Sequence, residues 1–174
     1  MQVILDADQI EKTLTRVAGE IVAALPREAS VALVGIRSRG EILAQRLHKK
    51  LQGKIAAPIE CGTLDITLYR DDLNQMGYEQ PTVRATEIDF SIDDRFIILV
   101  DDVLNTGRSV RAALDALIDL GRPRVIRLAV LIDRGCRELP ISPDYTGKTI
   151  DAPANKRVHV YLREVDDSEQ VVLE

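Results

Sequence analysis

Two adjacent carboxylates, Asp101 and Asp102, are the residues whose type and position first indicate chemistry. An apolar, β-branched run at 96–100 precedes them and predicts a buried strand that ends at the acidic pair. The stretch 105–107 has the composition of a turn. A helical pattern of apolar residues comes next, formed by Val110, Ala113, Leu114, Leu117 and Ile118, and Gly121 and Pro123 end it.

A strand, a loop and a helix in this order place free backbone N–H groups and the positive end of the helix dipole around the loop, which suits a phosphate group. The spacing of a Walker loop is absent. Asp101 and Asp102 can accept hydrogen bonds from vicinal hydroxyl groups, so a sugar phosphate would satisfy both halves of the arrangement. An acidic doublet alone is most often a solvated turn, and the complete strand–loop–helix arrangement is what favours a sugar-phosphate site.

A second strand–loop–helix unit lies earlier in the chain. The apolar run 31–34 predicts a buried strand, and a leucine stripe at 43–51 marks a helix that ends near Gly53. The loop between them carries Arg37 and Arg39. In isolation, two arginines at this spacing favour a solvated turn. Beside a loop that binds phosphate, however, their planar guanidinium groups are well suited to donate hydrogen bonds to a second phosphate group.

The rest of the chain predicts further elements. A capping box at 8–11 opens a first helix, whose buried stripe runs from Ile10 to Leu25. Segments 66–69 and 82–88 alternate like strands and flank the polar stretch 70–81, whose length is typical of a functional lid. We expect this stretch to be mobile and to become ordered when a ligand binds. A strand at 125–132, a polar turn at 133–140, a loop at 144–148 and a closing strand pair at 158–162 and 170–173 complete the chain.

Strands that alternate with helices predict an α/β fold with a doubly wound, mostly parallel sheet. Loops at the carboxyl ends of such strands converge on one crevice. This convergence would bring the arginine pair at 37 and 39, the acidic pair at 101 and 102, and the 133–137 turn together.

Length and composition narrow the class of protein. The 174 residues predict one domain, of which 45% are hydrophobic and 29% charged. No apolar run approaches the ~20 residues of a membrane span, and the N-terminus lacks the pattern of a signal peptide. Cys61 and Cys136 have no metal-binding or redox spacing, so free thiols in a reducing cytoplasm are expected. The net charge of -5 gives no global attraction to nucleic acid, and an RNA site would need a local basic patch.

The stretch Ile-Leu-Val-Asp-Asp-Val-Leu-Asn-Thr-Gly-Arg-Ser-Val at 98–110 resembles the phosphoribosyl pyrophosphate (PRPP) motif of type I phosphoribosyltransferases. Segments 14–18, 34–40, 65–72 and 133–140 resemble the PyrR family, the bifunctional pyrimidine operon attenuation regulators and uracil phosphoribosyltransferases. The resemblance covers nearly the whole chain. It implies the type I phosphoribosyltransferase fold, with a small hood and a flexible lid loop, in a single domain spanning 1–174.

The resemblance also implies an activity and a regulatory role. Uracil and PRPP would give UMP and diphosphate with Mg²⁺, which would be held through PRPP rather than by direct protein ligands. The protein would bind pyr leader mRNA in response to UMP, in the cytoplasm and away from membranes, as a homodimer or homotetramer. Two alternatives remain open: an RNA- and nucleotide-binding regulator with negligible catalysis, and a phosphoribosyltransferase for another base such as hypoxanthine.

Site residues follow from the matched motifs. We expect Asp101, Asp102 and Arg70 to act in catalysis, with Arg70 arriving when the lid closes. The region 132–148 resembles the family's base-binding hood, and Ile132 is expected against the uracil face. Since asparagine cannot be a general base, Asn105 leaves water or the departing diphosphate to accept the uracil proton. The residues expected to bind PRPP are Arg37, Ser38, Arg39, Gly40, Asp101, Asp102, Leu104, Asn105, Thr106, Gly107, Arg108 and Ser109.

Residues available for RNA are Thr15, Arg16, Arg137 and Lys148. Family regulators often carry histidine at the positions that Gly19 and Cys136 occupy in this chain, so two possible RNA contacts are absent. From charge alone, scattered lysines and arginines on an acidic protein would simply be solvated. The resemblance is what favours RNA binding.

Overall fold

The structure, a computed structural model, describes residues 1–73 and 82–174. Strands and helices alternate along much of the chain, as expected. In order they are β1 (Gln2–Asp6), α1 (Ala7–Ala24), β2 (Val31–Ile36), α2 (Arg39–Leu51), β3 (Glu60–Leu64), a 3₁₀ turn (Thr67–Tyr69), β4 (Phe96–Leu104), α3 (Arg108–Leu120), β5 (Val125–Asp133), β6 (Tyr145–Thr149), β7 (Val158–Tyr161) and β8 (Gln170–Leu173).

The main sheet has five parallel strands in the order β3-β2-β4-β5-β6. Helices α1 and α2 pack on one face in a core that includes Leu14, Leu43 and Ile98. Helix α3 packs on the other face, where Val110 and Leu117 join a second core. The predicted α/β, doubly wound, parallel sheet is confirmed. Its central strand, β4, is buried along residues 96–101 because helices cover both faces.

A second, three-stranded antiparallel sheet of order β1-β8-β7 joins the two ends of the chain. The predicted closing strand pair is confirmed, with Val158 opposite Leu173. Strand β1 pairs with β8 and was not predicted. Val160 and Val171 belong to the same core as α1 and α2, so the small sheet packs against that helical layer.

One predicted loop is a strand. Residues 145–149, expected as a loop in the hood, form β6, the edge strand of the main sheet. Gly147 lets β6 approach β5 closely, because a Cβ atom there would lie 2.4 Å from the Leu131 carbonyl oxygen. Arg16 donates hydrogen bonds to the Thr146 and Gly147 carbonyls on the exposed edge. Contacts with distant residues, rather than local pattern, therefore define this strand.

The region around the expected lid also differs from the prediction. Residues 66–69, expected as a strand, contain a 3₁₀ turn, because the Asp65 carboxylate accepts hydrogen bonds from the Thr67 amide and hydroxyl and turns the chain. The segment 82–88 forms only an isolated bridge between Glu87 and Thr63. The central part of the expected lid, residues 74–81, lies outside the described residues.

Smaller corrections concern where elements begin and which face they bury. The capping box uses Asp6 and Gln9, two residues before the predicted one, with reciprocal hydrogen bonds of 2.8 and 2.9 Å. Strand β4 continues through the acidic pair to Leu104. Ile118 was expected on the buried stripe of α3 but is 64% exposed, because the helix turns its small residues, including Ala112, toward the sheet.

Close backbone contacts fix the turn between β2 and α2. A Cβ atom on Gly35 would overlap the backbone of Glu41, and one on Gly40 would lie 2.5 Å from the Val100 carbonyl oxygen. Gly35 at the end of β2 and Gly40 at the start of α2 therefore tolerate no side chain. Within residues 1–73 and 82–174, no helix has both the length and the apolar character that crossing a membrane requires.

We predict that Gly35→Ala destabilises the protein by about 1–3 kcal/mol or more, because the backbone must shift to accept the methyl group. Gly19 is the matched control, since it lies within α1 with nothing near its Cβ position. Gly19→Ala should stabilise the protein by about 0.5–1 kcal/mol through helix propensity. Urea unfolding measures both changes, and equal effects of the two substitutions would contradict the close contact.

Candidate active site

The loop between β4 and α3 presents backbone donors at the carboxyl end of the sheet. Gly107 has φ of 93° and stands at the N-cap of α3, a left-handed conformation that glycine adopts without strain. The Thr106 hydroxyl accepts a hydrogen bond from the Arg108 amide at 3.3 Å. Because the first amides of α3 lack helical partners, the loop and the helix end form a site suited to an anion.

The acidic pair lies directly before this loop, and its two carboxylates have different environments. Asp101 is 8% exposed and accepts a hydrogen bond from the Asp102 amide at 2.9 Å. Asp102 is half-buried and accepts from the Val103 amide at 2.8 Å. Asp102 therefore offers more surface to a ligand than Asp101 does.

Burial and the neighbouring charge of Asp102 raise the pKa of Asp101 well above its usual range. Burial also raises the pKa of Asp102, although the Val103 amide and the positive charge of Arg39 oppose the rise. The pair thus holds protons more tightly than exposed carboxyl groups do. Hydroxyl groups of a ligand could donate hydrogen bonds to it in place of water.

The arginine loop lies directly beside the acidic pair. A Cβ atom on Gly40 would come within 3.2 Å of the Asp101 Cα atom, so the start of α2 touches β4 at that residue. The peptide bond between Arg37 and Ser38 is cis. The structure therefore brings the 37–40 loop and the acidic pair together, as the sequence predicted.

Both arginines of this loop have carboxylate partners. Arg37 Nε donates to the Ala85 carbonyl at 2.9 Å, and its terminal nitrogens lie 3.2 and 3.3 Å from Glu41 and Glu87. Arg39 Nη2 donates to Asp166 at 3.0 Å. The sequence pattern did not reveal these partners, because no periodicity connects residue 39 with residue 166.

We call the loop between β4 and α3, residues 105–107, the phosphate loop. Charged contacts of Arg108, the residue that follows it, link it to the first part of the expected lid. Arg108 donates to Asp71 at 2.7 Å and to Glu138 at 2.6 Å. Arg70 is exposed and pairs with Asp72 at 2.6 Å. The Arg108 side chain therefore bridges two segments, while the backbone of its loop stays available to an anion.

The 133–141 segment supports the phosphate loop. The Thr106 carbonyl accepts hydrogen bonds from the Glu138 and Leu139 amides at 2.9 and 3.2 Å. Arg137 donates to Asp133 at 2.7 Å and to the Asn105 carbonyl at 3.0 Å. Arg137 thus holds the phosphate loop in place. This structural role distinguishes Arg137 from the other residues expected to bind RNA.

Ile132 does not present a surface to a base in this structure. It is 0% exposed and belongs to the core beneath α1 and α2. The expectation that Ile132 lies against the uracil face stays a prediction, which this burial does not favour. Leu104, expected to bind PRPP, is likewise buried, at 1% exposed.

Arg16 and Lys148 share one surface, whereas the Thr15 hydroxyl accepts a hydrogen bond from Lys50 on α2 at 3.0 Å. Arg16 donates to the carbonyls of Thr146 and Gly147 on the edge strand β6, at 3.1 and 2.5 Å. Lys148 Nζ, on the same strand, donates to the Ile4 carbonyl at 3.1 Å. Arg16 and Lys148 are exposed at the edge where α1 meets β6, and we call this edge the α1–β6 surface.

Comparisons with known proteins place this geometry in a family. The model described as "Phosphoribosyl transferase domain" matches residues 2–164. Bifunctional protein PyrR of Pelotomaculum thermopropionicum is 51% identical over 170 residues, covering 98% of this chain and 93% of that protein. Bifunctional protein PyrR of Limosilactobacillus fermentum is 50% identical over 172 residues, covering 98% and 96%. The chain belongs to the PyrR family of phosphoribosyltransferases.

Solved structures outside the PyrR family share its fold. Hypoxanthine phosphoribosyltransferase of Staphylococcus aureus has a TM-score of 0.72 at 18% identity, covering 98% of this chain and 90% of that one. The enzyme of Trypanosoma cruzi has a TM-score of 0.73 at 17% identity, covering 99% and 95%. The type I phosphoribosyltransferase fold and the enzyme class of pentosyltransferases, both expected from the sequence, are thus confirmed for this PyrR family member.

We predict that Asp101→Asn stabilises the folded protein at neutral pH. The pKa of Asp101 is raised on folding, so its contribution to stability is fully present below the unfolded pKa of about 3.9 and is lost as pH rises through the folded pKa. Asparagine does not titrate and avoids this loss. Urea midpoints should be higher for the variant at pH 7 and should converge with those of the native protein below about pH 3.9.

The control for this experiment is Asp89→Asn, at an exposed position. Its urea midpoints should follow those of the native protein across the same pH range. A native protein more stable than Asp101→Asn at pH 7 would show that the carboxylate is stabilised, rather than strained, by its surroundings.

Proposed function

We propose that this PyrR family member transfers the phosphoribosyl group of PRPP to uracil, giving UMP and diphosphate, and that it also binds pyr leader mRNA in response to UMP. The observation that carries the enzymatic part is the direct contact between the arginine loop and the acidic pair, beside a loop of free amides. Three chemically distinct sites for ribose, 5′-phosphate and diphosphate then lie in one crevice. The cytoplasm and a homodimer or homotetramer are the proposed setting.

Each group in the crevice has a role in this reaction. The amides of Thr106, Gly107 and Ser109, with the Thr106 hydroxyl, bind the 5′-phosphate. Asp102 accepts hydrogen bonds from the ribose hydroxyls, with Asp101 behind it. As diphosphate departs, positive charge develops at the ribose C1 atom, and the acidic pair stabilises that charge electrostatically.

The departing diphosphate is negatively charged, and positively charged arginines bind it. Arg37 and Arg39 neutralise the charge of diphosphate. Arg70, at the start of the expected lid, contributes a further positive charge when the lid closes over the site. The acceptor for the uracil proton is water or the departing diphosphate, because Asn105 has no basic group. The segment 133–136, which includes the exposed Gly135, is then the surface available to the base.

Mg²⁺ is the proposed cofactor. In the described ranges 1–73 and 82–174, His, Cys, Asp and Glu form no group of three or more that could hold a metal ion. Asp101 and Asp102 provide oxygen atoms, which suit a hard cation, but two adjacent carboxylates are fewer ligands than Mg²⁺ needs. The donor set therefore fits an ion held mainly by PRPP oxygens. When bound, the ion would supply Lewis-acid neutralisation of the leaving diphosphate.

The base is tested by supplying radiolabelled uracil, guanine, hypoxanthine and orotate separately, each with PRPP and Mg²⁺. Uracil should be the preferred substrate. Preference for hypoxanthine would favour a phosphoribosyltransferase for another base, the activity named in the structural neighbours. No transfer to any base, with UMP binding retained, would favour a regulator with negligible catalysis.

We predict that Asp102→Asn lowers kcat/KM for PRPP by roughly tenfold to a hundredfold, from the loss of about 1.5–3 kcal/mol in charged hydrogen bonds. The folded structure should be retained, since an asparagine oxygen can still accept from the Val103 amide. Asp89→Asn is the matched control and should keep native kinetics. Native kinetics in a folded double variant, Asp101→Asn with Asp102→Asn, would remove the acidic pair from the mechanism.

The proposed RNA site is the α1–β6 surface. Its cations are exposed, and Arg16 and Lys148 lie at the same edge of the sheet because Arg16 contacts the residue next to Lys148. Phosphates of a folded hairpin would bind to these cations while polar side chains contact loop bases. Arg137 is excluded as a diagnostic substitution, because its removal would disturb the Asn105 carbonyl and the phosphate loop.

We predict that Lys148→Ala weakens binding of the organism's own pyr leader RNA and reduces the salt dependence. Removing one lysine–phosphate interaction should change the log–log slope by about 0.7. Arg124→Ala removes one exposed cation at the opposite end of the sheet, before β5, and is the control. Titrations should be run with and without UMP. Equal affinity for leader and scrambled RNA at moderate salt would leave an enzyme without this regulatory function.

A further inference from the structure

Against the effect of burial, the positive charge of Arg39 lowers the pKa of Asp102, and the Arg39 side chain is held from outside the main sheet. Arg39 begins α2, and one of its terminal nitrogens lies 3.0 and 3.2 Å from the two oxygens of Asp166. Asp166 lies in the turn between β7 and β8 of the small sheet. The orientation of a residue in the crevice therefore depends on an element distant in sequence.

The turn that carries Asp166 is well anchored. The amides of Val165 and Asp166 both donate to the Leu162 carbonyl, at 3.0 and 2.7 Å. The Leu162 amide in turn donates to Asp166 Oδ2 at 2.9 Å, and Leu162 itself is 0% exposed. This hydrogen bond fixes the Asp166 carboxylate in the orientation that contacts Arg39.

Docking of the small sheet onto α2 does not require the Arg39 contact. Arg46, two turns further along α2, donates to Glu164 at 2.7 and 2.9 Å and to Glu169 at 2.5 Å. These bonds already join the same helix to the same turn. Asp166 is therefore available for a different task, at the end of α2 that faces the acidic pair.

We propose that Asp166 is a positioning residue, which orients the Arg39 guanidinium toward the diphosphate of PRPP. This inference rests on the proposed function, because it takes Arg39 as a diphosphate ligand. The side chains of Arg39 and Asp166 are 33% and 18% exposed, so the pair is partly shielded from water and is screened less than a surface pair. Arg39 Nε is buried and has no hydrogen-bond partner among the described residues. The contact of Nη2 with the Asp166 carboxylate is therefore what fixes the orientation of the Arg39 guanidinium.

Simple electrostatics predicts the opposite effect, and this makes the proposal testable. If Asp166 acted only as a negative charge near the crevice, its removal would strengthen diphosphate binding. If it positions Arg39, its removal should weaken binding, because Arg39 regains rotamer freedom that the ligand must then restrict.

The experiment is a titration of inorganic diphosphate with Mg²⁺ into the native protein, Asp166→Asn and Glu164→Gln, by calorimetry. Asp166→Asn should bind diphosphate about tenfold more weakly, as expected from the loss of a charged hydrogen bond. Glu164→Gln removes a carboxylate from the same turn that contacts the same helix through Arg46, and its affinity should stay within about twofold of the native value. Equal or tighter binding by Asp166→Asn would overturn the proposal.

Two further measurements separate positioning from a general structural effect. KM for PRPP should rise in Asp166→Asn while KM for uracil stays unchanged. In an Arg39→Ala background, Asp166→Asn should have no additional effect on diphosphate affinity, because the two residues act through one contact. Additive losses of affinity, or an equal rise in both KM values, would overturn the proposal.

Asp166→Ser covers the case in which the asparagine variant does not fold. Its hydroxyl can accept from the Leu162 amide but is too short to replace the carboxylate at Arg39, so it should show the same weakening. If the native protein binds neither diphosphate nor PRPP, the proposed function is refuted. If the native protein binds both and the Asp166 variants bind them equally well, only the role of Asp166 is refuted.

Discussion

The contact on which the active site depends is the approach of the α2 backbone to β4 at Gly40. A side chain there would collide with the Val100 carbonyl, and its first atom would lie 3.2 Å from the Asp101 Cα atom. Since nothing separates the two backbones, the positive charge of Arg39 acts directly on Asp102 and opposes the rise of its pKa. Parallel pairing of β2 with β4 makes this approach possible, because it brings both loops to the same edge of the sheet.

Carboxylates surround the cations of the crevice. Arg37 contacts Glu41 and Glu87, Arg39 contacts Asp166, and Arg108 contacts Asp71 and Glu138. Partly buried guanidinium groups need such counter-ions when no phosphate is bound. Exposed pairs such as Arg108 with Glu138 contribute only about 0–1 kcal/mol each, so a multiply charged phosphate can replace them at small loss. The less exposed pair of Arg39 with Asp166 is the one proposed to persist when the ligand binds. The protein thus keeps its binding groups ordered without holding them too tightly for a ligand.

Contiguous features were the ones that the sequence predicted well. Strand β4, the acidic pair, the turn at Gly107 and the start of α3 occupy one uninterrupted stretch, so local pattern sufficed to place them. Strand β6 was missed because Tyr145–Thr149 holds polar residues and a glycine and looks like a loop. The partner of Arg39 is 127 residues away, and their relative position is defined only after the sheet has formed. The position of Ile132 against the base rests on the resemblance of its region to the family's hood, and the sequence pattern did not reveal that Ile132 is buried in the core with α1 and α2.

The two carboxylates of the acidic pair illustrate how stability and function are balanced in this fold. Asp101 is buried beside another acid, which disfavours its charged form, and its hydrogen bond comes from the Asp102 amide, a neighbour in sequence. That arrangement gives up stability at neutral pH, a pattern typical of functional sites rather than of structural carboxylates. The same bond holds the backbone at Asp102, whose more exposed carboxylate lies within the influence of the Arg39 charge. Under the proposed function, Asp101 therefore supports the backbone of the crevice, while Asp102 is the carboxylate that would contact the ribose.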